Sequence, residues 1–252
     1  MPESDGAILV FASKTVGEQA LAWLIRQGEA VVQVIAARDD DVAILNLCRT
    51  HGIAVSVFDP ERTPTGLVDS GRSFAWLLNL WSPHLLRRPV LGLAHRRLNL
   101  HPSLVPHCRG NDNAAWTIRH GLPAGVSLLE MDDGVDTGRV WAQRVIEYAF
   151  PIRGRDLHLM LEAELVRLFV ESWAALRARP PEPHSQQGPV TCFRRADTNA
   201  DRHRDAGHTA TLADTVRWLL AHDFAPGTTA EMIMDGRRFQ VRLDIREVEP
   251  GA

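Results

Sequence analysis

The sequence predicts an α/β protein: a doubly wound, Rossmann-like open sheet with a small C-terminal extension of one helix and a β-hairpin. Three observations carry that reading. Apolar runs of strand length alternate with helix-like stretches through the N-terminal part of the chain. These runs lack the polar alternation of a half-exposed strand, as expected for strands buried on both faces. A proline-rich stretch then separates a long first part from a short tail.

The elements follow in order. Ala7 to Ala12 is a continuous apolar run and reads as the first strand. A helix pattern from Val16 to Gln27 puts Leu21, Leu24 and Ile25 on one face, and Gly28 stops it. Val31 to Ala36 is the second strand. Asp39-Asp40-Asp41 is expected to cap a helix running to about Arg49, ended by Gly52. Ile53 to Phe58 and Phe74 to Trp81 are further strands, the latter closed by Ser82-Pro83. Leu98-Asn99-Leu100 reads as a short strand that Pro102 must end, because proline has no N–H for the ladder. Asp112 opens a helix to His120, with Gly121 after it. Gly125 to Met131 and Val140 to Ile146 flank an acidic turn. Arg155 to Arg177 is a long amphipathic helix whose apolar stripe is Leu157, Met160, Leu161, Leu165, Leu168 and Phe169. In the tail, Thr211 to His222 reads as a helix, and Asp235-Gly236 as a two-residue hairpin turn between Met232–Met234 and Phe239–Ile245. The expected boundaries are therefore 1–180 for the main domain, 181–190 for a linker and 191–252 for the extension. The hairpin's edge strand gives a second copy of the chain something to pair with, so a homodimer is a candidate state.

Composition narrows the function. The chain has 252 residues, 45% of them hydrophobic and 23% charged, enough for a real core. Lys+Arg (28) and Asp+Glu (31) nearly cancel, so no global positive field invites nucleic acid, and no nucleic-acid partner is expected. No apolar run approaches the ~20 residues of a membrane span. The three cysteines, Cys48, Cys108 and Cys192, show no pair spacing, which points to a reducing compartment. The acidic start, Met1 to Asp5, lacks the pattern of a signal peptide. A cytoplasmic location is the expectation.

The chemistry concentrates between Leu98 and Gly138. Asn99 and His101 lie two apart at a strand end, so their side chains share a face. In open sheets of this kind, ligands bind beyond the carboxyl ends of the strands. Asp132-Asp133-Gly134-Val135-Asp136-Thr137-Gly138 puts three acids in a glycine-bearing turn. A carboxamide donor, an imidazole and a carboxylate are what acyl transfer needs to stabilise an oxyanion and move a proton. Each segment alone also fits a local structural role, as a loop that satisfies its own backbone or as an ordinary acidic turn. A calcium loop is excluded because the distal glutamate is missing. Despite eleven histidines, none shows zinc-ligand spacing with a cysteine pair, so no metal is expected. Ser103 lacks a nucleophile-elbow context. Ser13-Lys14-Thr15-Val16-Gly17 has neither the Gly-x-Gly-x-x-Gly nor the Gly-Lys-Ser/Thr pattern, which disfavours a dehydrogenase or an NTPase.

Taken together, Leu98-Asn99-Leu100-His101-Pro102-Ser103-Leu104-Val105-Pro106, Arg109-Gly110, Trp116-Thr117-Ile118, Gly125-Val126-Ser127, Met131 to Gly138 and Ala142-Gln143 resemble the formyltransferases that use 10-formyltetrahydrofolate. The strong likeness covers about 97 to 147. The resemblance implies that Asn99, His101 and Asp136 are the catalytic set. It implies that Trp81, Pro83, Leu85, Leu86, Met131, Asp132, Asp133, Gly134 and Val135 hold the folate, largely through backbone groups. It places Ser103, Arg109, Gly110, Asn113 and Trp116 at the acceptor. The short tail of mixed charge and the Arg109-to-Trp116 stretch look most like the N-formyltransferases of nucleotide-linked amino sugars, with peptide-synthetase formylation domains as near relatives. Arg139 after Thr137-Gly138, Trp81-Ser82-Pro83-His84, and Ala114-Ala115 depart from the usual family pattern. The expected reaction is formyl transfer from 10-formyltetrahydrofolate to a primary amine. Alternatives are an amino acid, a peptide or a carrier-bound aminoacyl acceptor, hydrolysis of the formyl donor, and a non-catalytic folate-binding module.

Overall fold

The computed structural model describes residues 6–248; Met1–Asp5 and the last residues of the expected extension, Glu249–Ala252, lie outside the described residues. The elements run β1 (Ile8–Ala12), α1 (Lys14–Arg26), β2 (Val31–Ala36), α2 (Val42–Thr50), β3 (Ala54–Val57), α3 (Thr63–Asp69), β4 (Phe74–Leu80), α4 (Arg88–Leu91), β5 (Ala94–His101), β6 (Arg109–Gly110), α5 (Asn113–His120), β7 (Ala124–Leu129), β8 (Val140–Ile146) and α6 (Gly154–Ala178). After these come β9 (Cys192–Phe193), α7 (Arg195–Asp201), β10 (His203–Asp205), α8 (Leu212–Ala221), β11 (Ala230–Met234) and β12 (Arg237–Val241).

The main sheet has seven strands in the order β3-β2-β1-β4-β5-β7-β8. β1 pairs in parallel with β2 and β4, and β4 in parallel with β5. The direction changes at β5, which pairs antiparallel with β7. This is the doubly wound α/β sheet that the apolar runs predict, turning antiparallel from β5 to β7. Every residue of β1 is buried, as a central parallel strand requires. Leu9, Phe11, Ile35, Phe74 and Leu77 form one packed cluster with Leu86, Val90 and Leu91. Burying one such side chain is worth about 1.5–3 kcal/mol.

Two local expectations change. β5 begins at Ala94 rather than Leu98, and its first half is more exposed than its end. Asp41 precedes α2 but does not cap it. Its carboxylate instead accepts hydrogen bonds from the Ser13 hydroxyl (3.0 Å), the Lys14 amide (2.7 Å) and the Arg38 amide (3.1 Å). An internal anion therefore sits where α1 starts. Gly17 in the same turn of α1 is close-packed: a Cβ there would lie 2.6 Å from the Leu80 carbonyl oxygen. In α6, Leu157, Leu161, Leu165, Leu168 and Phe169 are buried as expected, while Met160 is exposed and Trp173 and Leu176 extend the stripe.

The described residues divide into two compact units: 6–102, 126–144 and 162–188 form the first, and 103–125, 145–161 and 189–248 the second. This interleaved division differs from the continuous one expected at 180 and 190. The difference arises because the tail shares its unit with internal segments, α5 among them, which a reading along the chain assigns to the main domain. The stretch expected to be a free linker is also ordered onto the first unit. His184 and Val140 exchange both backbone hydrogen bonds (2.8 and 3.0 Å), and Arg139 pairs with Glu182 (2.8 Å).

In the second unit, β11 and β12 form the expected hairpin around Asp235-Gly236, with Asp235 in the left-handed region. The third strand, β10, pairs in parallel with β11 and was hidden because it is short and polar. Trp218, Leu219 and Ala230 form a small core there. Beside it, Arg119 pairs with Asp201 (3.1 Å) and Asp214, Arg204 pairs with Asp214 (3.0 Å), and His222 pairs with Asp201 (2.8 Å). Burial alone would raise the Asp201 carboxyl, but the His222 hydrogen bond and the charge of Arg119 outweigh it and leave it below the usual range. Asp214 is likewise lowered: burial opposes, and hydrogen bonds from Arg119 and Arg204 prevail. Carboxyls lowered on folding add stability above their unfolded pKa of ~3.9, and lose it as the pH falls through their folded values. Arg119→Met is therefore expected to cost about 2–4 kcal/mol at pH 7 in urea melts, because it strips two half-buried carboxylates of their shared cation. The same measurement at a pH below the unfolded pKa should show a smaller cost, since the unfolded chain then binds the protons that the native carboxylates resist.

Candidate active site

β5 ends in the antiparallel ladder with Asn99 opposite Leu129 and His101 opposite Ser127. Pro102 ends the strand, as the sequence requires. The alternation of the strand puts Asn99 and His101 on one face. The loop between β7 and β8 brings Asp136 to that face. Asn99 Nδ2 donates to Asp136 Oδ1 at 3.0 Å, and His101 Nδ1 lies 3.4 Å from the same oxygen. The His101 and Asp136 side chains keep only 5% and 14% of their exposure. A carboxamide and an imidazole thus share one carboxylate oxygen in a largely water-excluded place.

The three acids of the turn are distinguished by what they touch. Asp132 Oδ1 accepts from the Gly134 amide (2.9 Å) and the Thr137 hydroxyl (2.6 Å), so its carboxylate builds the turn. Asp133 is exposed and pairs with Arg88. Asp136 alone of the three is aimed at Asn99 and His101. It holds a left-handed backbone conformation, φ 50°, that disfavours most side chains but that aspartate tolerates. The loop closes where the Glu130 amide donates to the Arg139 carbonyl (2.7 Å). It closes tightly, since a Cβ on Gly138 would sit 1.7 Å from the Glu130 carbonyl oxygen.

The segments expected to hold folate also meet in this unit. Trp81 follows β4 in a left-handed conformation, φ 74°. Asn79 fixes that strand end by exchanging two bonds with Ser82 (2.9 and 3.1 Å). Pro83, Leu85 and Val135 are exposed, Leu86 is in the core cluster and Met131 packs against that cluster. The Arg88–Asp133 pair ties the two segments together. Gly134 has no room for a side chain, because a Cβ would reach Thr137 Oγ1 at 2.0 Å.

The residues expected at the acceptor all belong to the second unit, where most of them satisfy the protein itself. Ser103 Oγ donates to the His107 carbonyl (2.8 Å), and Asn113 Nδ2 to the Cys108 carbonyl. Gly110 lies against β9, where a Cβ would meet the Phe193 carbonyl oxygen at 2.2 Å. Trp116 is buried, stacked on Phe193 with ring centroids 4.1 Å apart, and donates to Thr198 (3.0 Å). Arg109 is half-exposed. Burial pushes the Cys108 thiol up, against the weaker lowering by Thr117 and Thr191, and burial pushes Cys48 up to about 11. Neither is a ready nucleophile. Among the described residues no group of three His, Cys, Asp or Glu side chains could hold a metal, and no helix is long and apolar enough to cross a membrane.

Sequence reasoning missed three residues at this edge. Ser127 faces His101 across the ladder and accepts from Gln143 Nε2 (3.0 Å). The third is Gln186, whose Nε2 donates to the carbonyls of Asp136 (2.8 Å) and Gly138 (2.7 Å). Gln143 stood within the recognisable stretch; Gln186 had no signal, since it lies in the stretch that reads as a linker.

With this geometry in view, comparison with known proteins settles the family. The formyl transferase family matches residues 7–150. The chain belongs to that family. A methionyl-tRNA formyltransferase of Anaeromyxobacter dehalogenans is 33% identical over 173 residues, 63% of this chain and 54% of the relative. The match therefore spans about half the length of that curated relative. A 4-N formyltransferase from Francisella tularensis superposes with a TM-score of 0.83 at 16% identity, covering 96% of this chain and 99% of that one. An N-formyltransferase from Helicobacter canadensis, solved with folinic acid and dTDP-3-aminofucose, superposes with a TM-score of 0.74 at 16% identity, covering 92% and 84%. At that identity these two establish a shared fold.

Gly138→Ala is expected to force the loop open. Circular-dichroism melts should show a loss of about 2 kcal/mol, or ~4–8 °C in Tm, the usual scale for overpacking in a protein of this size.

Proposed function

We propose that this protein transfers the formyl group of 10-formyltetrahydrofolate to a primary amine on a nucleotide-linked sugar, with Asn99, His101 and Asp136 as its catalytic residues. The observation that carries the proposal is the meeting of Asn99 Nδ2 and His101 Nδ1 on one oxygen of Asp136. The formyl donor is the second substrate and supplies an activated one-carbon acyl group. The amine adds to the formyl carbon, a C–N bond forms, and negative charge gathers on the formyl oxygen. Asn99 donates to that oxygen with the second hydrogen of Nδ2, and protonated His101 donates from its ring. Asp136 holds the imidazole in orientation and takes the proton that the amine nitrogen loses, directly or through water. As the carbon–nitrogen bond to the donor breaks, the departing nitrogen takes up that proton. The products are the formamide and tetrahydrofolate, and no cysteine is required. The meeting of the 81–88 and 131–135 segments supports their role at the folate.

The amino-sugar acceptor is supported by the shared fold with the Francisella and Helicobacter N-formyltransferases, one of them solved with a dTDP-amino sugar. Methionyl-tRNA is the second reading, favoured by the 33% identity to the Anaeromyxobacter enzyme. The net charge of −3 weighs against it, because tRNA binding draws on a positive surface. A cytoplasmic setting and a homodimer through the β12 edge remain part of the proposal.

The test is tetrahydrofolate release, followed by ultraviolet absorbance, from 10-formyltetrahydrofolate. It is run with dTDP- and UDP-linked 3-amino and 4-amino sugars, with methionyl-tRNA, with free amino acids and with no amine. Release that depends on a nucleotide amino sugar is the expected result. Turnover with methionyl-tRNA alone, or release that needs no amine, replaces the proposed acceptor; no release with any of them overturns the enzyme reading. Asn99→Ala, His101→Ala and Asp136→Ala should each lower kcat on the order of a hundredfold or more while the protein stays folded.

A further inference from the structure

Gln186 sits on the ordered segment after α6, well away in sequence from the loop that carries Asp136. The segment is tied down beside that loop by the Val140–His184 bridge and the Arg139–Glu182 pair. From there the two N–H groups of one carboxamide reach the carbonyl oxygens of Asp136 and Gly138, at 2.8 and 2.7 Å. The direction of these bonds is fixed by chemistry, since both partners are carbonyl oxygens and can only accept. The two carbonyls flank Thr137, so the contact clamps the backbone immediately after the Asp136 side chain. Asp136 is left-handed, a conformation that aspartate tolerates but that does not by itself fix where the carboxylate points. The tight closure at Gly138 and the two bonds from Gln186 together hold this end of the loop.

We propose that Gln186 is a positioning residue: through the backbone of 136–138 it holds the Asp136 carboxylate where Asn99 and His101 both reach it. The inference rests on the catalytic reading of Asp136 given above. Its chemistry is demanding. A methionine of similar length has no donors, and a glutamate would set a carboxylate against two carbonyl oxygens. A partner that orients a reacting group is commonly worth 10- to 100-fold, and a misplacement near 1 Å can cost about a hundredfold.

The test uses the full chain with Gln186→Met, Gln186→Glu, Asp136→Asn and the double variant Gln186→Met/Asp136→Asn. Amide-resolved NMR needs no acceptor. The Asn99 side-chain amide signal should move in Gln186→Met in the direction it moves in Asp136→Asn, while the Asn79 amide, bonded to Ser82, stays in place. With the acceptor that supports turnover, kcat should fall about 10- to 100-fold in both Gln186 variants with the KM for the formyl donor within about twofold. The double variant should be no slower than Asp136→Asn. Gln187→Met, at an exposed position on the same segment, should leave kcat unchanged. An unmoved Asn99 signal with wild-type kcat in Gln186→Met overturns the inference, as do losses that simply multiply in the double variant. Full turnover in Asp136→Ala overturns the catalytic reading instead, and the Asn99 signal still decides whether Gln186 holds the loop.

Discussion

A single carboxylate oxygen, Asp136 Oδ1, is the point on which the candidate site depends. Two side chains of β5 reach it, one an amide donor and one an imidazole. Neither could do so without the strand, whose pleat sets them side by side, or without the loop, whose left-handed residue turns the acid inward. The sheet supplies the rigid half of this arrangement. β5 is hydrogen-bonded on both sides, to β4 and to β7. The loop is the soft half, and its shape is bought with interactions that have no catalytic character: the Asp132 turn, the Gly138 closure and the Gln186 clamp.

The division of labour among like residues is the second theme. Three acids lie within five positions, yet one builds the turn, one pairs with Arg88 at the surface, and one faces the imidazole. Composition cannot separate them; only the path of the backbone does. The same holds for Trp116 and Asn113. Both are buried with hydrogen bonds inside the second unit, so the fold itself has a use for them.

What could be read from the chain follows physical rules. β1, β2 and β4 were legible because strands buried on both faces must be apolar throughout. The hairpin at Asp235-Gly236 was legible because its turn demands residues that accept positive φ. Asn99 and His101 were legible as a pair because side chains two apart on a strand share a face, whereas Asp136 joined them through the family resemblance alone. The short or polar elements were not. β10 and α7 carry no apolar stripe, and α7 has no buried residue at all. The segment 181–190 reads as a linker because prolines dominate it. Its attachment comes from the backbone of His184 and the side chain of Gln186, contacts across a large sequence separation that no local pattern announces.

The Asp41 carboxylate has a consequence for the start of α1. In many doubly wound proteins the amides opening the first helix receive a nucleotide's pyrophosphate. Here the Ser13 hydroxyl and the Lys14 amide are bonded to a carboxylate of the same polypeptide, and Gly17 packs against the Leu80 carbonyl one turn on. An incoming phosphate would meet like charge instead of a welcome. A helix start that other doubly wound proteins keep open for a ligand is here closed by the polypeptide itself.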